Sequence, residues 1–136
     1  MLVYVAQLNP VVGDIIGNSA KILKAIDEAV KVQAEVVLFS ELVLTGYPPD
    51  DLLMLPKFIY AAEDALKEIA TKCYDVAAIL GAPRLNRSGI GKPLFNSAAI
   101  LSNGKIVGYH DKLLLPTYDV FDERRYFEPG NEPFLW

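Results

Sequence analysis

Short, nearly continuous apolar stretches punctuate the chain, and between them the apolar positions recur at helical spacing. Leu2–Leu8 (LVYVAQL), Val36–Phe39 (VVLF) and Val76–Leu80 (VAAIL) read as strands, the last two buried on both faces. Asn9-Pro10 ends the first, and Gly81 and Pro83 are expected to close the third. Gly13 and Gly17 bracket a turn, with Asn18 the expected N-cap of the helix that follows. There Ile22, Leu23, Ile26, Ala29 and Val30 form a stripe opposite Lys21, Lys24, Asp27, Glu28 and Lys31. A second helix is predicted from about Lys57 to Cys73, its stripe being Phe58, Ala62, Ala65, Leu66, Ile69 and Cys73.

The order β-α-β-α-β favours parallel strands joined by crossovers. The pattern then changes. Phe95–Leu101 and Lys105–His110 flank Ser102-Asn103-Gly104, and Asn-Gly is a strong hairpin signal. Parallel units thus lead into an antiparallel pair, and the class is α/β with a mixed sheet. From Asp111 onward Pro116, Pro129, Gly130 and Pro133 keep the chain irregular, and it closes on the apolar run Phe134-Leu135-Trp136. That run reads as the start of a further strand, so the expectation is an N-terminal piece of a longer protein.

Composition narrows the class. The 136 residues suffice for one domain with a core. A hydrophobic content of 52% and mean hydropathy of +0.25 are high, yet no apolar run approaches the roughly 20 residues of a membrane helix. The N-terminus lacks the basic region of a signal peptide. Seventeen acidic against 13 basic residues give a net charge of −4 with no basic block, which argues against a nucleic-acid partner. One cysteine excludes an internal disulfide and suits a reducing cytoplasm.

In open α/β sheets reactive groups gather at the C-terminal ends of parallel strands. Glu41 stands there, just beyond Val36–Phe39 and before the loop Thr45-Gly46-Tyr47-Pro48-Pro49. Lys112 follows the last strand and faces Leu113-Leu114-Leu115. Meeting in one partly dry pocket, the two would hold each other charged. In the loop Thr117–Phe127, Glu123 is placed to support the lysine, while Tyr118 and Phe121 join Tyr47 in shaping a small-substrate pocket. Plainer readings stand beside these: Glu41 as a cap or surface carboxylate, Lys112 as a solvated loop residue, Glu123 within a charge cluster with Asp122, Arg124 and Arg125, and the aromatics as packing. Cys73 continues an apolar stripe and is expected to be buried and inert. Asn86 and Pro93 rule out a phosphate loop around Gly91-Lys92, and no Cys/His cluster has zinc spacing.

The segments AQLNPVVGDIIGN, FSELVLTGYPPDDLL and GYHDKLLLPTYDVFDERRYFEPG carry a resemblance. Through them the chain resembles the carbon–nitrogen hydrolase (nitrilase) superfamily from end to end. More narrowly it resembles the N-terminal glutaminase domain of glutamine-dependent NAD+ synthetases. The resemblance implies a nitrilase-like α-β-β-α sandwich with mixed sheets, of which residues 1–136 would be the N-terminal portion, and assembly into homo-oligomers. By position it makes Glu41 the general base, Lys112 the triad lysine and Glu123 the additional glutamate. Tyr47, Tyr118 and Phe121 match loop positions lining the glutamine pocket.

The implied chemistry is hydrolysis of the L-glutamine side-chain amide by a Glu-Lys-Cys triad. The ammonia would serve an ATP-dependent domain that amidates deamido-NAD. ATP, Mg and deamido-NAD are thus expected outside this chain, which itself needs no cofactor. The family nucleophile lies in a later Cys-Glu-Asp motif that Cys73 does not match, so the chain alone is expected to be inactive. Two alternatives remain at this stage: another nitrilase-type amidase acting on a small amide, and a non-catalytic oligomerisation or binding remnant.

Overall fold

A computed structural model describes residues 1–136. Its elements run β1 (Val3–Ala6), α1 (Ile15–Lys31), β2 (Val36–Phe39), α2 (Pro56–Ala70), β3 (Ala77–Leu85), β4 (Leu94–Ser102) and β5 (Lys105–Asp111), with 3₁₀ turns at Asp50–Met54 and Glu123–Arg125. They build one five-stranded sheet in the order β1-β2-β3-β4-β5. β1, β2 and β3 are parallel, and β3-β4 and β4-β5 are antiparallel, as the patterning implied. Asn103 and Gly104 close the last hairpin with φ of 53° and 74°, the left-handed pair that a two-residue turn needs.

Four expected boundaries shift. The first strand spans only Val3–Ala6 rather than Leu2–Leu8. The first helix begins four residues before its expected start, capped by Asp14, whose Oδ1 accepts from the Gly17 amide at 2.9 Å. Asn18 is instead buried inside it. Its side chain exchanges bonds with both backbone groups of Val11 (2.8 Å each) and donates to the Leu44 carbonyl at 3.1 Å, tying α1 to the loop after β2. The second helix ends at Ala70, short of Cys73. Gly81 and Pro83 do not close β3, which continues to Leu85 because β4 pairs with it along its whole later half.

Both helices pack on one face of the sheet. Ile22, Ile26 and Ala29 of α1 and Ala62, Leu66 and Ile69 of α2 meet Val37, Ala78, Leu80, Ala99 and Leu101. The small residues of β3 and β4 let two helices sit close to the strands. Residues of opposite parity, including Val5, Leu38 and Ile79, point to the other face, where Val5 and Leu38 are exposed. The chain therefore holds one helical layer and one sheet layer of the expected sandwich.

Candidate active site

Glu41 reaches its position through a loop packed as tightly as a core. Leu42, Val43, Leu44 and Thr45 are all fully buried. The loop docks on β3 through Gly81 N–H donating to the Ser40 carbonyl at 3.3 Å and Leu44 N–H donating to the Gly81 carbonyl at 3.4 Å. A Cβ on Gly81 would lie 2.2 Å from the Leu42 nitrogen, so only glycine permits this approach. Lys112 follows β5 directly. Its amide donates to the Asn96 carbonyl on β4 at 2.8 Å, and its carbonyl accepts from Gly130 N–H at 2.9 Å. Glu123 arrives on its 3₁₀ turn, between anchors Leu115 and Phe127 in a small second core with Leu42, Leu53, Ile59 and Leu94.

The three side chains converge. Lys112 Nζ donates to Glu41 Oε1 at 2.9 Å and to Glu123 Oε1 and Oε2 at 3.0 and 3.1 Å. Glu123 is 6% exposed, so the simple solvated-cluster reading does not describe it. The Lys112 side chain is 30% exposed and that of Glu41 44%. Burial opposes the ammonium charge, but bonds to Glu41 and Glu123 and their attraction outweigh it and hold the lysine above its ordinary pKa. The Tyr47 hydroxyl donates to Glu123 Oε1 at 3.1 Å. Desolvation, then the Glu123 charge and hydrogen bond, push that phenol up to about 12, so it remains a donor.

Two cavities flank this cluster. A groove of about 530 Å³ on the open sheet face is lined by Glu41, Lys112, Asn96, Gly81, Leu38 and Leu114 among others. A second cavity of about 620 Å³ is lined by Tyr47, Phe121 and Glu123 together with Asp50, Asp51 and Asp122. Phe121 and Tyr47 thus share a wall. Tyr118 is 70% exposed, meets Phe121 edge-on at 5.7 Å between ring centroids, and lines neither cavity.

Sequence reasoning missed Asn96. Its Nδ2 donates to Glu41 Oε1 at 2.6 Å and approaches Glu123 Oε2 at 3.4 Å. An Asn within the apolar run of β4 was the available signal, since a buried amide must find partners. The alternation of β4 and β5 separates two networks. Ser97 and Asp111 face the helix side, where Ser97 donates to Asp111 and Arg84 pairs with that carboxylate beneath Phe95 and Tyr109. Their neighbours Asn96 and Lys112 face the groove. Cys73 is fully buried, its Sγ 3.6 Å from the Ile69 carbonyl, and burial pushes the thiol up to about 11. It is a neutral core thiol remote from the cluster in contacts, as expected. No group of three or more His, Cys, Asp or Glu side chains is arranged to hold a metal, and no helix is long and apolar enough to cross a membrane.

The carbon-nitrogen hydrolase family profile matches residues 2–135. The chain belongs to that family. Among its relatives, the glutamine-dependent NAD(+) synthetase of Aquifex aeolicus is 43% identical over 132 residues, covering 96% of this chain and 22% of the relative. That of Thermotoga maritima is 38% identical over the same coverage. The solved glutamine-dependent NAD+ synthetase of Acinetobacter baumannii superposes with a TM-score of 0.88 at 33% identity, over 96% of this chain and 24% of that one. An amidase from Nesterenkonia sp. shares the fold, with a TM-score of 0.77 at 22% identity over 98% of this chain and 51% of that one. This carbon-nitrogen hydrolase chain therefore spans less than a quarter of the curated synthetases it matches first.

Proposed function

We propose that this chain is the part of a glutaminase that supplies the proton acceptor and the cation of a Glu-Lys-Cys triad, within a protein that uses the ammonia to amidate deamido-NAD. The observation supporting it most directly is that Glu41 and Lys112, 71 positions apart, meet at 2.9 Å on the rim of one groove. The likeness to synthetases along nearly the whole chain favours glutamine over other small amides.

The steps follow from charge. A cysteine from a later segment of the same protein gives its thiol proton to Glu41, and the thiolate attacks the side-chain amide carbon of glutamine. The carbonyl oxygen takes up negative charge. Lys112 has three ammonium protons to share, and in the resting cluster it directs them at Glu41 and at both oxygens of Glu123. Proton uptake by Glu41 weakens its hold on Nζ and releases one N–H to the oxyanion, so the cation is delivered as the charge appears. Glu41 then gives its proton to the departing nitrogen, and ammonia leaves a glutamyl thioester. Water, deprotonated by Glu41, attacks the thioester; glutamate departs and the sulfur recovers the proton. Glu123 keeps the lysine charged and placed, and Tyr47 and Phe121 shape the adjoining cavity. Tyr118 acts, in this reading, only through its edge contact with Phe121.

ATP, magnesium and deamido-NAD belong, in this reading, to a synthetase part of the longer protein. The residues of this chain offer them no phosphate loop, and no step above runs through them. The test is ammonia and glutamate release from glutamine by the full-length protein, coupled to ATP-dependent conversion of deamido-NAD. Turnover of another small amide with none of glutamine would favour a different amidase. The 136-residue chain alone is expected to be inactive and, through exposed Val5, Leu38 and Leu114, to self-associate. Glutamine turnover by it that Cys73→Ser abolishes would overturn the missing-nucleophile part of the proposal.

A further inference from the structure

We propose that Asn96 is a positioning residue that gives the two oxygens of Glu41 different tasks, Oε1 as an anchor and Oε2 as the proton acceptor; this rests on the glutaminase reading above. Asn96 is 3% exposed and touches every member of the cluster. Its Nδ2 donates to Glu41 Oε1 at 2.6 Å and lies 3.4 Å from Glu123 Oε2, while its backbone carbonyl accepts from the Lys112 amide at 2.8 Å. Two carboxylates share a single cation here, so like charges face each other across a short gap. The amide nitrogen brings two N–H donors and no charge, which suits a residue wedged between them. The reverse amide orientation would turn its carbonyl oxygen toward both carboxylates.

The consequence lies in Glu41. Oε1 accepts from Lys112 and Asn96 together, whereas the bonds to this side chain leave Oε2 without a donor, on a residue open to the groove. When Lys112 turns to the oxyanion, Asn96 alone still holds Oε1. The proton therefore resides on Oε2, and the carboxyl keeps its orientation between the first and second halves of the reaction.

Full-length Asn96→Leu, which removes both donors at similar volume, tests this with glutamine as substrate. We expect kcat to fall about 10- to 100-fold, as for loss of a hydrogen bond to a charged group, with KM within about threefold. The acid limb of the kcat/KM profile should also move toward higher pH, because a donor to the anionic form has gone. Unchanged kcat and an unchanged profile overturn the assignment. Should Asn96→Leu fail to fold, Asn96→Ser decides: the same limb must move in the same direction, and an unmoved limb overturns the proposal. Glu41→Gln separates the two levels. If it abolishes turnover while the Asn96 variants behave as wild type, only the Asn96 assignment falls. If it retains full turnover, the glutaminase reading falls with it.

Discussion

Cys73 and Lys112 are both ionisable and both withdrawn from water, the first fully and the second in part, yet their surroundings drive them to opposite charge states. The thiol sits under α2 among aliphatic side chains, with only the Ile69 carbonyl 3.6 Å away. Burial acts on it without opposition and pushes it up to about 11, so it is neutral near pH 7. The ammonium meets a burial penalty too, but two carboxylates stand at 2.9 to 3.1 Å and reverse it. Burial silences a group that lacks a partner and holds a partnered one in place as a charge.

Removing the partners of Lys112 has the largest effect. Glu41→Gln in the full-length protein should lower glutamine turnover about 10³-fold, within the range for loss of a general base, with the fold intact. Glutamate release under saturating glutamine measures it, and turnover within tenfold of wild type would contradict the assigned role. Next in size is Lys112→Met. It leaves the buried Glu123 carboxylate with only Tyr47 and Asn96 as donors and should cost about 3 kcal/mol of local stability. Faster hydrogen exchange at the Phe127 and Lys112 amides would register it. Unchanged exchange would mean that the ion cluster contributes nothing to holding the 3₁₀ turn.

What the sequence disclosed tracks the range over which each interaction acts. Strand and helix periods are local, so the order of elements, the mixed sheet and the Asn103-Gly104 hairpin were legible. Gly81 was misread as a terminator because its purpose is a contact with the backbone of Leu42, far off in the chain. Asn18 was misread for the same reason: its partners are Val11 and Leu44, not the first turn of its helix. Glu41 and Lys112 were legible as strand-end charges beside apolar runs, yet only the folded chain brings them together. Glu123 reads from sequence both as a support for the lysine and as one of a solvated charge cluster, because the anchors that bury it, Leu115 and Phe127, lie on either side of its turn. Asn96 carried no local mark beyond being polar in an apolar strand.

Alkaline pH sharpens the contrast at intermediate size. Cys73, Tyr47 and Lys112 all have raised values, so the stability they confer is complete below their unfolded-state values and lost as pH rises through the folded ones. For Cys73 the window runs from 9.0 to about 11. For Tyr47 it runs from 10.0 to about 12, and Lys112 loses its contribution above 10.5. The first thermal transition of the protein should therefore fall from about pH 9 upward. In Cys73→Ala the decline should begin nearer pH 10, with roughly 3 kcal/mol of the alkaline loss removed. An identical onset in both proteins would show that the partnerless thiol contributes nothing to the titration.

The smallest expected effect probes the same thiol from the side of function. Cys73→Ala at neutral pH replaces a neutral, fully buried group with a smaller one, costing about 1 kcal/mol of packing. None of its contacts involves Glu41, Lys112, Glu123 or Asn96, and the core that holds it is the helix-side cluster rather than the groove. Its glutamine kcat and KM should therefore match wild type within about twofold, where Glu41→Gln loses most of the rate. Peptide mapping after alkylation of the native protein adds an independent reading, since a thiol held near pH 11 and closed to solvent should stay unmodified at pH 7. Rapid modification of Cys73 under native conditions, or a large loss of turnover on its replacement, would erase the distinction between the silent buried group and the working one.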